Sequence, residues 1–249
     1  MQCVILAGGL ATRMRPLTET IPKALLAIAG RPFIDHQLDW LAAHGVSDVV
    51  LSIGYRGDML RDHVGTGARH GLRVAYVDEG VNLRGTAGAL RLALAHGVLE
   101  ESFLVTYGDS FLPVHFGDVF QAFRAAALPA LMTVFRNEGR YDTSNVIFEA
   151  SARPGGRETP GAGRVVLYDK RRATRPASDF AYIDYGLSAL ERRVVEEEVP
   201  AEGKADLAEV FFALSRRGQL AGLEIPERFH EIGSPEGLAE LETWIAGAR

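Results

Sequence analysis

The sequence predicts an α/β domain built on a mainly parallel central sheet with helices on both faces. Two observations carry this prediction. Apolar runs of strand length alternate with segments of helical period along residues 2–135. These runs are apolar throughout, which is typical of strands buried on both faces of a parallel sheet. Ligands of such sheets bind beyond the carboxyl ends of the strands, so the loops that follow the strands are the first places to look for chemistry.

The first half of the chain predicts strands joined by helices. The apolar runs predict strands at residues 2–7, 48–54, 72–77, 102–108 and 130–135. Apolar residues at helical spacing predict helices at residues 33–45, 87–97 and about 116–127. Gly45 and Gly97 follow the last periodic residues of the first two helices and are expected to end them.

The second half predicts a less regular continuation of the same architecture. Strands are expected at residues 144–149, 164–170, 182–190 and 219–225, and a glycine- and proline-rich loop at residues 150–163. Helices are expected at residues 206–218 and 234–248. Ser234 is the expected N-cap of the last helix, with Pro235 at its first position.

Composition narrows the function classes. Hydrophobic residues make up 47% and charged residues 24% of the 249 residues, as in an ordinary globular protein. The formal net charge of −5 argues against a nucleic-acid partner. No apolar stretch reaches the length of a membrane span, and the start of the chain does not read as a signal peptide. Cys3, the single cysteine, excludes an internal disulfide, so a cytoplasmic location is expected.

The loop after the first strand combines glycines with cations. Gly8 and Gly9 allow close approach of backbone N–H groups to a ligand, and Arg13, Arg15 and Lys23 follow. Such a combination suits a polyphosphate. The stretch matches neither the P-loop motif nor the dinucleotide-binding G-x-G-x-x-G motif, which disfavours both classes. From the two glycines alone, an ordinary turn with solvated arginines is an equally good interpretation.

The longer stretch LAGGLATRMRPLTETIPKALLAIAGRP at residues 6–32 is more specific. It resembles the signature of the sugar-1-phosphate nucleotidyltransferases, L-A-G-G-x-x-T-R-x-x-P-L-T-x-x-x-P-K-x-x-L-x-x-x-G-x-P. The resemblance implies a Rossmann-like three-layer sandwich, the nucleotide-diphospho-sugar transferase fold. It also implies transfer of a nucleotidyl group from a nucleoside triphosphate to a sugar 1-phosphate. No nucleic acid or membrane partner is expected, and the oligomeric state is not predicted.

The resemblance also implies roles for residues around the nucleotide. Arg13 would meet the triphosphate and Lys23 the α-phosphate, both as catalytic residues. DEGVNLRGTAGAL at residues 78–90 resembles a second family segment, whose helix, beginning near Ala87, would aim its N-terminus at the ligands. The nucleotide-binding residues implied by these two segments are Leu6, Ala7, Gly8, Gly9, Thr12, Arg13, Asn82, Gly85 and Thr86.

Two acidic residues are the metal candidates. Asp109 in TYGDSF ends a buried strand, and from this position alone it could be a helix N-cap or a metal ligand. The resemblance implies that Asp109 is catalytic and holds Mg²⁺. FHEIGSPEGL at residues 229–238 resembles the family's closing segment, in which an aspartate is the second metal ligand. Glu231 stands at that position, and glutamate is also a hard oxygen ligand, one methylene longer. Direct binding of Mg²⁺, binding through water and a contact with the sugar alone are three open interpretations for Glu231.

The sugar phosphate is expected to contact the second half of the chain. LYDKRR at residues 167–172 resembles a family segment that implies a sugar-hydroxyl contact for Asp169 and a sugar-phosphate contact for Lys170. DYGLSAL at residues 184–190 implies sugar contacts for Tyr185 and Gly186. For Tyr185, a packing role is an equally good interpretation.

The expected organisation is one domain over residues 1–249, with a nucleotide-binding half at 1–140, a sugar-phosphate-binding half at 141–249 and no C-terminal β-helix domain. GTP with a heptose or mannose 1-phosphate is the first expectation. The motifs also fit UTP- or dTTP-dependent relatives acting on glucose or N-acetylmuramic acid phosphates. Two further alternatives are a non-catalytic sugar-nucleotide-binding subunit and a cytidylyltransferase for a non-sugar phosphate.

Overall fold

The computed structural model describes residues 1–9, 14, 16–151 and 160–247. The elements of its first half are β1 (Gln2–Leu6), β2 (Ala27–Ile28), β3 (Arg31–Pro32), α1 (Phe33–Ala43), β4 (Asp48–Ile53), α2 (Gly57–Val64), β5 (Arg73–Asp78), α3 (Gly85–Ala95), β6 (Ser102–Tyr107), β7 (Ser110–Phe111), α4 (Phe116–Ala126) and β8 (Ala130–Arg136). The elements of its second half are β9 (Val146–Ala150), β10 (Ala162–Tyr168), β11 (Tyr182–Glu191), α5 (Arg192–Glu198), α6 (Leu207–Arg216), β12 (Leu220–Glu224), β13 (His230–Glu231) and α7 (Pro235–Gly247).

Nine of the described strands form one sheet in the order β5-β4-β1-β6-β11-β8-β12-β10-β9. The strands β5, β4, β1 and β6 are parallel to one another. Strand β11 pairs antiparallel with both β6 and β8, and β12 pairs parallel with β8. The expected mainly parallel sheet is therefore confirmed, with β11 and β10 as antiparallel strands in its second half.

Helices cover both faces of the sheet, which confirms the expected three layers. On one face, α1, α2 and α4 bury apolar residues such as Leu38, Leu60 and Val119 against the strands. On the other face, α3, α5 and α6 do the same with residues such as Leu90 and Val194. The apolar residues expected to face inward on α6 are all buried: Leu207, Val210, Phe211 and Leu214.

A smaller cluster packs α7 onto the edge of the molecule. Leu241 and Ile245 of α7 meet Phe111 and Ile232, which lie on and beside the short pair β7 and β13. The expected cap of α7 is confirmed, since Ser234 Oγ accepts a hydrogen bond from Gly237 N at 3.1 Å. The segment around Glu231 therefore lies beside the residues that follow β6, a strand in the middle of the sheet.

The sequence patterns missed several short elements. Helices α2 and α5 have only 8 and 7 residues, too few for a periodic pattern to be distinct. The pairs β2–β3 and β7–β13 have two residues per strand and form through contacts between distant segments. Most of the expected loop at residues 150–163 lies outside the described residues. None of the helices in the described ranges is long and apolar enough to cross a bilayer.

Candidate active site

A cavity of about 270 Å³ opens at the carboxyl ends of β1 and β6, at the edge of the sheet where ligands of such folds bind. Its lining combines apolar side chains with the charged side chains of Lys23, Glu79 and Asp109. The residues that line it are Leu6, Ala7, Gly8, Gly9, Lys23, Ala24, Glu79, Leu83, Gly85, Thr86, Ala89, Tyr107, Gly108 and Asp109. The structure therefore brings together eight of the residues expected to bind nucleotide or metal: Leu6, Ala7, Gly8, Gly9, Lys23, Gly85, Thr86 and Asp109.

The ends of β1 and β6 approach each other closely at this cavity. A Cβ atom at Gly108 would lie 2.7 Å from the Cβ atom of Ala7, and one at Gly8 would lie 2.5 Å from Oε1 of Glu79. The Glu79 carboxylate braces this corner, since it accepts hydrogen bonds from Arg84 N at 2.8 Å and Ser52 Oγ at 3.3 Å. A residue without a side chain is thus required at Gly108, whereas at Gly8 a side chain would displace the Glu79 carboxylate.

Lys23 and Asp109 form the charged end of the cavity. Lys23 Nζ lies 2.7 Å from Asp109 Oδ2, and the side chains are 16% and 37% exposed. Lys23 begins a single turn of 3₁₀ helix, Lys23–Leu25, whereas Asp109 directly follows β6 and Gly108. A cation and a carboxylate from segments 86 positions apart therefore share one partly desolvated corner.

Glu231 lies beside Asp109 because β13 pairs with β7. Glu231 is opposite Ser110 in this pair, and Ile232 N donates to Asp109 O at 2.9 Å. Although the residue as a whole keeps an exposed surface, desolvation of its carboxyl, followed by the charge of Asp109, raises the pKa of Glu231 to about 7. Two neighbouring carboxyls that repel each other are a suitable place for a divalent cation.

The carboxylates of Asp109 and Glu231 suit a hard cation that takes the rest of its coordination shell from water and substrate. The described residues contain no group of three or more His, Cys, Asp or Glu side chains arranged to hold a metal. Asp109 and Glu231 would therefore supply two carboxylates, and the other ligands would be water and substrate phosphates. That division is typical of Mg²⁺, which rarely occupies an all-protein cage.

The N-terminus of α3 differs from the expectation. The helix begins at Gly85 rather than near Ala87, and the amides of Ala87 and Gly88 both donate to the carbonyl of Ala205, at 3.0 and 3.2 Å. Gly85, at φ +75°, lies so close to Ala205 that a Cβ atom there would be 2.5 Å from its oxygen. Two of the amides that were expected to face a ligand therefore already donate hydrogen bonds to a carbonyl of the protein.

Asp206 links Thr86, which lines the cavity, to Lys170. The side chain caps α6 by accepting from Ala208 N at 3.0 Å, and the same oxygen accepts from Thr86 Oγ1 at 2.9 Å. Its other oxygen lies 3.3 Å from Lys170 Nζ. Desolvation works against the charged carboxylate, but these hydrogen bonds and Lys170 prevail and hold the pKa of Asp206 below its ordinary value. Lys170 is 60% exposed and lines a separate hollow of about 400 Å³ rather than the main cavity.

The Asp169 side chain is occupied by its own loop. The carboxylate accepts from Arg171 N at 3.1 Å, Thr174 N at 3.0 Å and Thr174 Oγ1 at 2.7 Å. Although desolvation acts to raise it, these bonds hold the pKa of Asp169 below its ordinary value. The residue is buried and its carboxylate already accepts three hydrogen bonds, so little of it is open to the expected sugar hydroxyl.

Tyr185 takes the packing role rather than the expected site role. Its side chain is 1% exposed, and its ring lies 5.6 Å from that of Phe229, edge to face. Successive residues of β11 face opposite sides of the sheet, so the side chain of Asp184, and not that of Tyr185, faces Lys170. Gly186, at φ +96°, lies beside Tyr107 and Ser110, close to the turn that carries Asp109.

Three further expected residues lie outside the main cavity or outside the described residues. Asn82 lines a neighbouring hollow of about 1230 Å³ that shares Leu83 with the main cavity. Thr12 and Arg13 lie outside the described residues.

Sequence reasoning did not place Tyr107 in the site, although it lines the cavity. Tyr107 precedes Gly108 and Asp109 at the end of β6, so its position at a strand end was a usable signal. Burial, followed by the charge of Asp184, raises the pKa of Tyr107 well above its ordinary value, so its phenol stays protonated. Glu79 and Leu83, which belong to the segment at residues 78–90 that resembles the second family motif, also line the cavity.

Comparison with known proteins supports the resemblance. The model of a family described as nucleotidyl transferase matches residues 2–147. A glucose-1-phosphate thymidylyltransferase of Streptomyces antibioticus is 32% identical over 194 residues, 74% of this chain and 48% of that protein. A mannose-1-phosphate guanylyltransferase of Mycobacterium tuberculosis is 29% identical over 99% of this chain and 66% of that protein. The chain thus spans about half to two thirds of the length of these curated relatives.

The fold is also found among solved structures. The crystal structure of a putative glucose-1-phosphate thymidylyltransferase from Bacillus anthracis superposes with a TM-score of 0.78. The superposition covers 98% of this chain and 94% of that one, at 20% identity. At this identity the likeness shows the shared fold, and the expected sandwich is confirmed.

Proposed function

Because this chain belongs to the nucleotidyl transferase family, we propose that it transfers a nucleotidyl group from a nucleoside triphosphate to a sugar 1-phosphate. The products are a nucleoside diphosphate sugar and pyrophosphate. A phosphate oxygen of the sugar phosphate attacks the α-phosphorus, and pyrophosphate leaves on the opposite side. Such a transfer needs positioning and charge stabilisation more than it needs a covalent intermediate.

The observation that carries the proposal is the Lys23–Asp109 pair at 2.7 Å, at the charged end of a cavity with an apolar wall. The apolar wall suits a base and ribose, and the glycines allow a ligand to approach the backbone. Lys23 lies where it can stabilise negative charge on the α-phosphate as the bond to pyrophosphate breaks. Arg13 is the proposed partner of the triphosphate.

We propose that Asp109 and Glu231 hold Mg²⁺. When bound with the nucleotide, the ion would neutralise part of the charge on the phosphates. The support is chemical: both side chains offer hard oxygen donors, and they repel each other in its absence.

The proposed first substrates are GTP and a heptose or mannose 1-phosphate. The guanylyltransferase relative, similar over 99% of this chain, supports this choice. The thymidylyltransferase relative, at higher identity over 74% of the chain, supports the alternative of dTTP or UTP with a glucose or N-acetylmuramic acid phosphate. Asn82 and Leu83, on the loop before α3, are the proposed contacts of the base.

The proposed division of labour follows the chain. Residues 1–140 bind the nucleotide, and residues 141–249 bind the sugar phosphate, with Lys170 on its phosphate group and Gly186 beside the sugar. The cytoplasm, with its reducing conditions, is the proposed location, which suits a protein whose one cysteine, Cys3, is buried and unpaired.

The test is a pyrophosphate-release assay with Mg²⁺. ATP, GTP, CTP, UTP and dTTP are each combined with mannose, heptose, glucose and N-acetylmuramic acid 1-phosphates and with phosphocholine. Release that depends on one nucleotide and one sugar phosphate supports the proposal and identifies both. Sugar-nucleotide binding without release in any combination would favour the non-catalytic alternative, and release with CTP and phosphocholine alone would favour the cytidylyltransferase.

A further inference from the structure

We propose that Gln37 is a positioning residue for Asp109, a role that rests on the proposed function. Gln37 lies in the middle of α1, on the face that packs against the sheet, and it is 4% exposed. Its amide nitrogen donates to Tyr107 O and to Ser110 O, both at 2.8 Å. One side chain therefore joins the two carbonyls that bracket Gly108 and Asp109.

The bonding of this amide fixes its orientation. Both partners are carbonyl oxygens, so the NH₂ group and not the oxygen must face them. The two hydrogens of Nε2 are then both used, and Oε1 has no hydrogen-bond partner in the described part of the chain. Because Gln37 is buried, the loss of these bonds is costly, since the two carbonyls would be left without this donor.

The turn is held from its other side as well. Gly108 N donates to Leu6 O at 2.9 Å, and Asp109 O accepts from Ile232 N at 2.9 Å. Hydrogen bonds from three segments thus hold the turn. They come from Gln37 of α1, from the end of β1 and from the residue that follows β13. With all of these bonds in place, the Asp109 carboxylate is directed toward Lys23, 2.7 Å away, and toward the proposed metal position beside Glu231.

Gln37 itself lies outside the set of residues that line the cavity, so it acts through the backbone of the turn. The positions of Tyr107 and Asp109 within the cavity both depend on that backbone. A small displacement of a positioned group lowers the rate more than it lowers stability. Gln37 should therefore affect turnover and the local opening of the turn beyond its contribution to global stability.

The chain offers a matched control. Gln2 is 5% exposed, its amide nitrogen donates to Val98 O at 2.9 Å, and its oxygen accepts from Glu100 N at 2.9 Å. It bonds two backbone groups of a single segment, as Gln37 does, but at the opposite end of β1 from the cavity. The variants Gln37→Met and Gln2→Met each replace a buried amide by an apolar side chain of similar length.

The experiment compares both variants with the wild type in three measurements. These are kcat for pyrophosphate release at saturating Mg²⁺, hydrogen–deuterium exchange of a peptide covering residues 107–111, and the affinity for Mn²⁺ by electron paramagnetic resonance. For Gln37→Met we expect a fall in kcat of about 10- to 100-fold. Exchange at residues 107–111 should be about tenfold faster, and Mn²⁺ binding weaker. Gln2→Met should match the wild type in all three, even if its Tm falls as far.

Equal kcat and equal exchange in the two variants would overturn the proposal. If Gln37→Met does not fold, Gln37→Asn takes its place, with an amide one methylene too short to reach both carbonyls. Wild-type kcat and exchange in that variant would overturn the proposal equally. If the wild type releases no pyrophosphate from any substrate pair, the proposed function fails. The exchange at residues 107–111 and the Mn²⁺ affinity then decide the role of Gln37 by themselves.

Discussion

The Lys23–Asp109 pair concentrates the proposed chemistry in two side chains. The pair is partly desolvated, so its charges act more strongly on a bound phosphate than surface charges would. A second ion pair of the same length, Arg31–Asp39 at 2.7 Å, lies on the exposed surface with side chains 47% and 45% exposed. Of the two, only the Lys23–Asp109 pair lines the cavity and is partly desolvated, so only this pair is expected to matter for turnover.

Lys23→Ala and Asp109→Asn should each lower kcat for pyrophosphate release by about 100-fold or more, because each removes a charge that acts at the reacting phosphate. Steady-state assays at saturating substrates and Mg²⁺ measure this. Asp39→Asn, at the exposed pair, serves as the control and should keep the wild-type kcat. Near-wild-type turnover in either site variant would remove that residue from the mechanism.

Asp184 is the acidic side chain of β11 that faces Lys170. Burial raises the pKa of Asp184 from 3.8 to about 6, although the Gly186 amide and Lys170 both act to lower it. Other titratable groups around it are Glu231 and the protonated phenols of Tyr107 and Tyr168. The unfolded carboxyl loses its proton near pH 3.8 and the folded one near pH 6, so the folded state binds more protons between these values. Stability contributed by this group must therefore fall as the pH rises through that window.

Asp184→Asn keeps an oxygen that can accept from Gly186 N and removes this titration. The variant should gain stability over the wild type, by little near pH 4 and by roughly 3 kcal/mol near pH 7. Urea unfolding of both proteins at several pH values measures the difference between their free energies of unfolding. The titrations of all other groups are common to both proteins and cancel in this difference. Asp58→Asn, at a carboxyl 86% exposed, is the control. A difference for Asp184→Asn that is independent of pH would contradict the expectation.

At the scale of elements, α3 and α6 meet through their N-termini. Thr86 Oγ1 donates to Asp206 and accepts from Leu207 N at 2.8 Å, while Ala205 N donates to Arg84 O at 2.9 Å. The cap of one helix is thus also a partner of the other helix. This junction connects the cavity proposed to bind nucleotide to Lys170, so its rigidity matters to both proposed substrates.

A double-mutant cycle should detect this junction. Asp206→Ala should lower the free energy of unfolding by about 1 kcal/mol through the loss of the cap alone. Combined with Thr86→Val, it should show a coupling energy of about 0.5–3 kcal/mol, because the two side chains share a hydrogen bond. Ser234→Ala removes the cap of α7 and should be additive with Thr86→Val within about 0.5 kcal/mol. Additivity of the Thr86 and Asp206 changes in urea unfolding would show that the helices are not coupled here.

At the scale of the whole molecule, the two halves of the chain share one sheet. Strand β11 from the second half lies between β6 and β8 from the first half, and β12 continues the sheet from β8. Residues 1–140 alone would leave β6 and β8 without the strand between them. Unpaired edges of that kind are unfavourable for a separate domain.

Unfolding should therefore occur in a single cooperative transition. Far-UV circular dichroism reports the helices, and fluorescence reports Trp40 and Trp244, which pack together beside α7 at 6.1 Å between ring centres. The two probes should give one common urea midpoint, and a fragment of residues 1–140 should remain unfolded. Two separate midpoints, or a folded fragment, would indicate independent halves.

Local patterns in the sequence determined the elements and the core of the site. Runs of apolar residues identified the nine strands of the main sheet to within a few residues, because burial on both faces leaves a distinctive composition. The glycine turn, Lys23 and Asp109 lie next to predicted strand ends or in a continuous motif, so their places could be inferred without the tertiary structure. The family resemblance lies in the same continuous segments.

Only the tertiary structure decided which distant segments meet. The insertion of β11 between β6 and β8, the position of Glu231 beside Asp109 and the pairing of Lys170 with Asp206 all join residues far apart in the chain. Asp184 and Tyr185 lie on opposite faces of β11, and the strand register decides which of them faces Lys170. A one-residue shift in register would exchange their faces. Pairing and register are set by the packing of the whole sheet, and a local pattern contains no information about them.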